Sequence, residues 1–183
     1  MKSVLGTTFE LFQTKLGASA VDTIPNGAFR TAMRQVAASV VVATAQWQNI
    51  RSGLTATAVC AAAALPPTML VSVNKAAAAD RLISDSGAFA INYLAEGQHR
   101  IARLFANTRL SDKARFLDGD WCTLETGSPV LEGSAASLDC RVQSRIAMPT
   151  HHIYLGRVVA VTVFDDRPLL YRDGNFRRLQ PVR

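Results

Sequence analysis

The side chains best suited to chemistry in this sequence lie near one another in an almost uncharged stretch, residues 53–75. Thr55 and Thr57 carry hydroxyls and Cys60 carries a thiol, while the residues between them are alanine or valine. Small side chains on a strand leave space, and backbone amides beside a space can hydrogen-bond a flat ligand. The stretch therefore indicates either a site for a planar cofactor or a strand whose free space is filled by other side chains.

Polar residues at two predicted strand ends can complete such a site. Asn74 and Lys75 close the stretch, where a lysine charge and free backbone amides can bind an anion; an ordinary turn is the alternative. His151 lies at a loop-to-strand boundary, which suits a functional histidine and a surface histidine equally well. Arg115, Phe116 and Trp121 suit either a lid or plain core packing.

Missing motifs exclude several types of site. Neither Gly-x-Gly-x-x-Gly nor Gly-x-x-x-x-Gly-Lys occurs, so nucleotide sites of those types are not expected. The spacing of the three cysteines and three histidines predicts no metal site, and the adjacent His151 and His152 must point to opposite faces of a strand. The Gly-x-Ser-x-Gly elbow is absent, although a Ser-His-Asp triad stays open because its members need not be neighbours in sequence.

The composition is that of a globular protein, with 183 residues, 49% apolar and 19% charged. We expect an N-terminal extension over residues 1–25 and one domain over residues 26–183. No apolar run reaches the ~18 residues that a membrane span needs, so no membrane association is expected. The N-terminus is too short in apolar residues for a secretory signal. Three widely spaced cysteines argue against a disulfide framework and predict a reducing, cytoplasmic location.

The net charge is +6, from 20 Lys and Arg against 14 Asp and Glu. Nucleic acid is one possible partner of a basic chain. However, acidic residues accompany the basic ones in most segments, and no basic helix or aromatic-basic stripe occurs, so nucleic-acid binding is not expected. A basic balance also suits an enzyme whose substrates are small polyanions, because it raises their local concentration.

Hydrophobic patterns predict the elements that must position these residues. An uninterrupted β-branched run, residues 39–45, predicts a buried strand, and a polar hairpin loop over residues 46–52 leads to the return strand. Residues 28–36 predict a short amphipathic helix, and residues 137–146 alternate like a strand with one buried face. Further strands are predicted at 68–73, 88–94 and 153–164, and further helices at 80–87 and 96–106. Many strands with few, short helices favour a closed antiparallel sheet, which is a barrel with helical decorations.

A series of short motifs follows one another along most of the chain, and their order matches that of a known protein family. The pieces are Phe29-Arg30-x-Ala32-Met33-Arg34, Gly53-Leu54-Thr55-Ala56-Thr57-Ala58-Val59-Cys60, Pro66-Pro67, Val73-Asn74-Lys75, Gly87-x-Phe89-Ala90-x-Asn92-x-Leu94, Arg115-Phe116, Gly127-x-Pro129-Val130-Leu131, Leu138-Asp139-Cys140-Arg141, Thr150-His151, Gly156-Arg157-Val158 and Pro168-Leu169-Leu170-Tyr171. In number and order they resemble the flavin reductase-like family, whose fold is an FMN-binding split barrel. The resemblance implies a mainly β split β-barrel with short helices that forms a homodimer.

The resemblance also implies a flavin groove at the barrel edge. The strand from Thr55 to Cys60 would follow the isoalloxazine ring, and His151 would face the ring and seat the nicotinamide. The cofactor-binding residues implied in this way are Thr55, Ala56, Thr57, Ala58, Val59 and Cys60 at the ring, Asn74, Lys75 and Ala79 at the phosphate, Phe89 and Asn92 on the far side, and Arg115 and Phe116 nearby.

The activity implied by the resemblance is reduction of FMN or FAD by NADH or NADPH, with reduced flavin passing to a partner monooxygenase. Hydride transfer needs a donor carbon close to flavin N5 and no acid-base pair, so a missing catalytic dyad is expected. Two alternatives stay open. One is a flavoprotein that reduces a bound acceptor such as a corrinoid cobalt or ferric iron, and the other is a flavin- or haem-binding module without turnover.

Two alanine runs depart from the family pattern. Residues 61–64 and 76–79 are all alanine where the family usually has Ser or Thr. Each missing hydroxyl can remove a flavin hydrogen bond, worth about 0.5–1.5 kcal/mol. We therefore expect weaker flavin binding, or binding chiefly through backbone amides and Lys75.

Overall fold

The computed structural model describes residues 24–182, so the extension predicted over residues 1–25 lies almost entirely outside the described residues. The first described helix, α1 (Asn26–Arg34), confirms the predicted amphipathic helix, with Phe29 and Met33 on one face. It falls in a compact unit that ends at Gln35, and all other described elements fall in a second unit that begins at Val36.

The second unit is built on a seven-stranded antiparallel sheet with the order β3-β2-β6-β9-β10-β5-β4. The two end strands, β3 and β4, are consecutive in the chain and are joined by Thr57 and Ala58 alone. The sheet therefore curls until its ends meet at a covalent connection with no ladder between them, which is a split barrel as the motif order predicts. The strands of this sheet are β2 (Val41–Trp47), β3 (Ile50–Ala56), β4 (Val59–Ala64), β5 (Pro67–Asn74), β6 (Ala88–Tyr93), β9 (Ala136–Ala147) and β10 (His151–Val163).

Smaller elements decorate this barrel. Two minor sheets have the orders β1-β11-β12 and β7-β8. Their strands are β1 (Ala38–Ser39), β7 (Trp121–Thr123), β8 (Pro129–Leu131), β11 (Leu170–Arg172) and β12 (Asn175–Arg177), and the helices are α2 (Ala78–Ser86), α3 (His99–Ala106) and α4 (Asp112–Arg115), with a 3₁₀ turn at Glu96–Gln98. Gly87 ends α2 in the left-handed conformation with φ of 66°, as the sequence predicted. Within residues 24–182, no helix is both long and apolar enough to cross a bilayer.

Two predictions about the β2–β3 and β3–β4 regions were wrong in detail. The hairpin loop predicted over residues 46–52 is only Gln48 and Asn49, since both adopt positive φ (48° and 65°) and a two-residue turn of this kind matches the twist of paired strands. The stretch from Gly53 to Cys60 is not one strand, because the chain leaves the β2 ladder after Ala56 and joins the β5 ladder at Val59.

The core has two layers because β2 is buried on both faces. Val41, Ala43 and Ala45 point into one cluster inside the barrel, whereas Val40 and Val42 point into a second cluster that contains α3. This double burial explains the uninterrupted apolar run that predicted the strand.

Candidate functional site

A groove of about 420 Å³ opens where β3 leaves the sheet and β4 begins. The bend of the chain supplies one wall, and the ends of β5 and β10 supply the facing wall. The lining residues are Val40, Leu54, Thr55, Ala56, Thr57, Ala58, Ser72, Asn74, Ala106, His151 and Tyr171. We refer to this feature as the seam groove.

The seam groove exists because the backbone of the bend has few ladder partners. Thr55 and Ala56 still pair with β2, and the Ala58 carbonyl accepts a hydrogen bond from the Ser72 amide at 3.0 Å. The Thr55 hydroxyl donates to the Ala102 carbonyl at 2.7 Å, which ties the bend to α3. The Thr57 side chain is exposed and has no hydrogen bond within the described part of the chain. The groove can therefore offer a ligand main-chain groups and one free hydroxyl.

His151 reaches the seam groove from the first position of β10, opposite Asn74 of β5. Its Nδ1 lies 2.8 Å from the Thr150 hydroxyl, and the ring is half-buried. An imidazole held in this way can donate or accept one hydrogen bond at its other nitrogen and can present a flat face to a bound ring.

The neighbouring His152 points to the opposite face of β10, as strand geometry requires. Its Nδ1 lies 2.9 Å from both carboxylate oxygens of Asp80, which also accepts a hydrogen bond from the Tyr154 hydroxyl at 2.8 Å. Burial raises the pKa of Tyr154, and the hydrogen bond to Asp80 raises it further. This buried cluster ties β10 to the first turn of α2.

A second cavity of about 300 Å³ adjoins the seam groove, because Leu54 lines both. Arg115 reaches it from α4, and Ala76, Ala77 and Ala78 reach it from the loop that leads into α2. The remaining lining residues are Gly53, Phe105, Thr108, Leu110, Ser111 and Asp112. We call this the Arg115 cavity.

The Arg115 cavity combines an arginine side chain, fixed by hydrogen bonds, with the N-terminus of a helix. The Arg115 side chain is only 12% exposed; Nη1 donates to Asp112 at 2.9 Å and Nη2 donates to the Asn107 carbonyl at 2.9 Å. Its Nε is buried without a hydrogen-bond partner among the described residues. Ala77, the N-cap of α2, cannot cap the helix, so the first amides of α2 are not satisfied by that side chain. An anion such as a phosphate suits these donors.

The structure brings together six of the residues that the sequence predicted for the site. Thr55, Ala56, Thr57, Ala58, Asn74 and His151 all line the seam groove, and Arg115 lines the neighbouring cavity. Lys75 is exposed on the loop between them, with Nζ 3.5 Å from the Pro149 carbonyl.

The other predicted residues lie outside both cavities. Val59 and Cys60 belong to β4, beyond the bend, and Ala79 is buried in α2. Phe89 and Asn92 are completely buried in the barrel wall, and Phe116 is packed edge-on against Phe105 and Trp121. Phe89, Asn92 and Phe116 are covered by core residues and line neither cavity, and their role as cofactor contacts stays a prediction.

Sequence reasoning missed five lining residues: Val40, Leu54, Ser72, Ala106 and Tyr171. Ser72 could have been found, because it lies two residues before Asn74 on β5 and so shares its face. Val40, Ala106 and Tyr171 come from distant segments and carry no local signal. Within residues 24–182, no group of three His, Cys, Asp or Glu side chains is placed to hold a metal ion.

Comparison with known proteins identifies the family. A family model described as "Flavin reductase like domain" matches residues 33–180. The chain belongs to this flavin reductase-like family. It is 38% identical over 152 residues to "FMN reductase (NADH) RutF" of Klebsiella pneumoniae subsp. pneumoniae, which covers 82% of this chain and 92% of that protein.

Solved structures of family members superpose closely on the chain. One is the NADH:FAD oxidoreductase SgcE6 of Streptomyces globisporus C-1027 in complex with NAD and FAD fragments, with a TM-score of 0.80, 29% identity, and coverage of 90% of this chain and 98% of that chain. Another is BorF, the flavin reductase component of a bacterial two-component tryptophan halogenase, with a TM-score of 0.78, 26% identity, and coverage of 86% and 100%.

Proposed function

We propose that this chain is an NADH-dependent flavin reductase that takes FMN or FAD as the hydride acceptor. The observation that carries the proposal is the seam groove, which sets the backbone from Thr55 to Ala58 against His151. NADH is preferred to NADPH in the proposal because the RutF and SgcE6 relatives are named as NADH enzymes.

The residues of the site fit a flavin in two parts. The seam groove, of about 420 Å³ and mostly uncharged, suits the ring, and backbone amides with the Thr57 hydroxyl suit its polar edge. The Arg115 cavity suits the phosphate, because the Arg115 side chain lines it and the start of α2 lacks a side-chain cap. Lys75 adds a positive charge on the loop between β5 and α2.

A bound flavin supplies the electron-accepting ring, and the protein supplies orientation. The Thr55 hydroxyl holds the bend against α3, so the wall of the groove is fixed before ligands arrive. The His151 ring, held by Thr150, borders the open side of the groove, where it can seat the nicotinamide and exclude water. No side chain needs to move a proton in this arrangement.

Only one of the two alanine runs bears on flavin affinity. Residues 61–64 lie on the exposed edge strand β4 and line neither cavity, whereas Ala76, Ala77 and Ala78 line the Arg115 cavity. We therefore assign any weakening of phosphate binding to the second run alone.

The exposed edge strand β4 supports a homodimer as part of the proposal. Cys60 and residues 61–64 are exposed and uncharged, and Leu65 is 93% exposed. An uncharged, apolar strand at a sheet edge invites pairing with another chain, and a second copy would cover it. Sedimentation velocity at micromolar concentration should report a dimer, and a Leu65→Lys variant should shift it toward monomer.

The proposal also includes a partner monooxygenase that receives reduced flavin, by analogy with the two-component system to which BorF belongs. The cysteines Cys60, Cys122 and Cys140 are all free thiols, which is consistent with the proposed reducing cytoplasm.

Anaerobic mixing with NADH and free flavin tests the proposal directly. The flavin absorbance at ~450 nm should bleach with many turnovers per protein, as hydride transfer requires. His151→Ala should lower this rate, while His99→Ala, an exposed histidine outside both cavities, should not. Flavin binding without bleaching would favour the binding module, and faster turnover with a corrinoid or ferric acceptor than with free flavin would favour the alternative reductase.

A further inference from the structure

A third cavity, of about 460 Å³, continues from the Arg115 cavity, because Ala78 and Asp112 line both. One wall is the β2–β3 hairpin, with Trp47, Gln48 and Ile50. The other wall is α2, with Arg81, Leu82 and Asp85. We call this the Trp47 cavity; none of its lining residues lines the seam groove, so the reaction of the flavin ring does not account for it.

The walls of the Trp47 cavity are unusual for a protein surface. Trp47 and Ile50 are large apolar residues at a hairpin tip, yet they are 43% and 61% exposed. Across from them, the Arg81 side chain is 86% exposed, and within residues 24–182 its one contact of this kind is with Asp85 at 3.4 Å. Such a long, exposed pair contributes little, so both groups are available to a ligand.

These groups match the chemistry of a nucleoside. An exposed indole provides a face on which a base can stack, and a carboxylate accepts hydrogen bonds from an exocyclic amine or from ribose hydroxyls. A volume of about 460 Å³ lies within the range of small-molecule sites. Asp112 is held by Ser52 and Arg115 through its Oδ1, whereas Asp85 has only the weak contact with Arg81, so we assign the contact with the ligand to Asp85.

The order of the three cavities indicates which nucleoside-containing ligand fits them. The mostly uncharged seam groove, the Arg115 cavity with the N-terminus of α2, and the Trp47 cavity follow one another, joined at Leu54 and at Ala78 with Asp112. FAD presents a flat ring, a pyrophosphate and an adenosine in the same order, whereas FMN ends at the phosphate. We propose that the Trp47 cavity binds the adenosine half of FAD, so that Trp47 and Asp85 add affinity for FAD that FMN does not receive. This inference rests on the proposed flavin site.

Equilibrium titration of FMN and FAD into wild-type protein and Trp47→Ala tests the proposal. Loss of a stacking partner should weaken FAD about tenfold and FMN less than twofold. Asp85→Asn should weaken FAD alone by a smaller factor. Phe164→Ala removes another half-exposed aromatic residue, outside all three cavities, and is the matched control; both dissociation constants should stay within twofold of wild type.

Tryptophan emission gives an independent readout with ADP as the probe. ADP should quench the emission of wild-type protein and of Phe164→Ala. It should not quench the emission of Trp47→Ala, in which Trp121 is the remaining tryptophan. Melting temperatures of all variants should agree, since Trp47 and Phe164 are both half-exposed.

Three results would overturn the inference. Equal weakening of FMN and FAD would place Trp47 at the phosphate or ring. Unchanged FAD binding in Trp47→Ala would leave the cavity without a role in flavin binding, and a raised KM for NADH with unchanged FAD binding would assign the cavity to the nicotinamide dinucleotide. Failure of the proposed function looks different, because wild-type protein would then reduce neither flavin.

Discussion

At the β6–β9 wall of the barrel, opposite the bend between β3 and β4, the polar side chains of Asn92, Ser137 and Asp139 are all buried. Asn92 donates to the Val42 carbonyl at 3.0 Å and accepts from the Leu131 amide and the Ser137 hydroxyl at 2.9 Å each. Asp139 accepts from the Thr126 amide at 2.7 Å. At the seam groove, by contrast, the Thr57 side chain is exposed and has no partner within residues 24–182.

The difference shows that residue type does not decide the role of a polar group in this fold. Thr and Asn stabilise the protein where the hydrogen-bond ladder is complete, because an unpaired group there would be costly. The same residue types are available to a ligand where the ladder is interrupted. We call the β6–β9 wall the closed wall. Variants in the closed wall and at the seam groove test this division.

The largest effect is expected from Asn92→Leu in the closed wall. The change leaves the Leu131 amide and the Ser137 hydroxyl buried without their acceptor, at about 1–3 kcal/mol for each group. Urea unfolding should show a loss of about 3 kcal/mol or more. Thr57→Ala at the seam should change stability by less than about 0.5 kcal/mol while weakening flavin binding; similar stability losses in both variants would contradict the division.

The adjacent histidines differ in the same way, because His151 borders the seam groove whereas His152 belongs to a buried hydrogen-bonded cluster. His151→Asn should lower kcat/KM for NADH about tenfold, the value of one directed hydrogen bond, with little change in stability. His152→Asn removes a partner from buried Asp80 and should cost about 1–3 kcal/mol in urea unfolding. Steady-state kinetics below the unfolding transition should find His152→Asn near wild-type activity, and the reverse pattern would exchange the two roles.

Alkaline pH should weaken the closed wall. Burial, and then the charge of Asp139, raise the pKa of Cys140 to about 12. Because the folded pKa lies above the unfolded one, the protonated thiol stabilises the fold fully below about pH 8.5, and this contribution declines above it by about 1.4 kcal/mol per pH unit until the folded pKa is reached.

Urea unfolding at pH 7.5, 9 and 10 measures this decline. Cys140→Ala should flatten the dependence of stability on pH, whereas Cys60→Ala on the exposed edge strand β4 should leave it unchanged. Iodoacetamide should modify the partly exposed Cys122 well before Cys140 in the native protein, because Cys140 is completely buried. Equal rates of modification would show that the wall opens readily.

The smallest effect is expected at the two alanine runs. Ala76→Ser adds a hydroxyl beside the Arg115 cavity and should tighten FMN by about 0.5–1.5 kcal/mol, the value of one neutral hydrogen bond. The matched control is Ala62→Ser on β4, which adds the same hydroxyl outside both cavities. Calorimetric titration should find FMN affinity unchanged in the control; a gain in Ala62→Ser would bring β4 into the site.

The sequence predicted the split barrel because its motifs are local and keep their order. It also predicted the buried strand β2, since a run of β-branched residues needs no distant information. Six of the residues that line the groove, Thr55 to Ala58 with Asn74 and His151, were predicted as site residues from the family resemblance, and the pairing of β5 with β10 brings Asn74 and His151 together.

Local sequence patterns carry no signal where distant segments decide whether a residue is buried. Phe89 and Asn92 have types that suit a binding site, but the β6–β9 ladder and Gly156 enclose them; a Cβ at Gly156 would overlap the Phe89 ring and lie 2.9 Å from the Cys140 Cβ. Tyr171 and Val40 enter the groove through the small sheet β1-β11-β12, whose pairing leaves no periodic signal in two- or three-residue strands.

The covalent connection at Thr57 and Ala58 has a consequence for folding kinetics. The strands on either side of it sit at opposite ends of the seven-stranded order, so both walls of the groove meet only after every intervening pair has formed, including the long-range register of Asn74 with His151. Such non-local pairings form late and slowly. A ligand of the seam groove should therefore bind the native state and none of its partly paired precursors. The rate at which flavin binds during refolding should then report the rate at which the barrel closes.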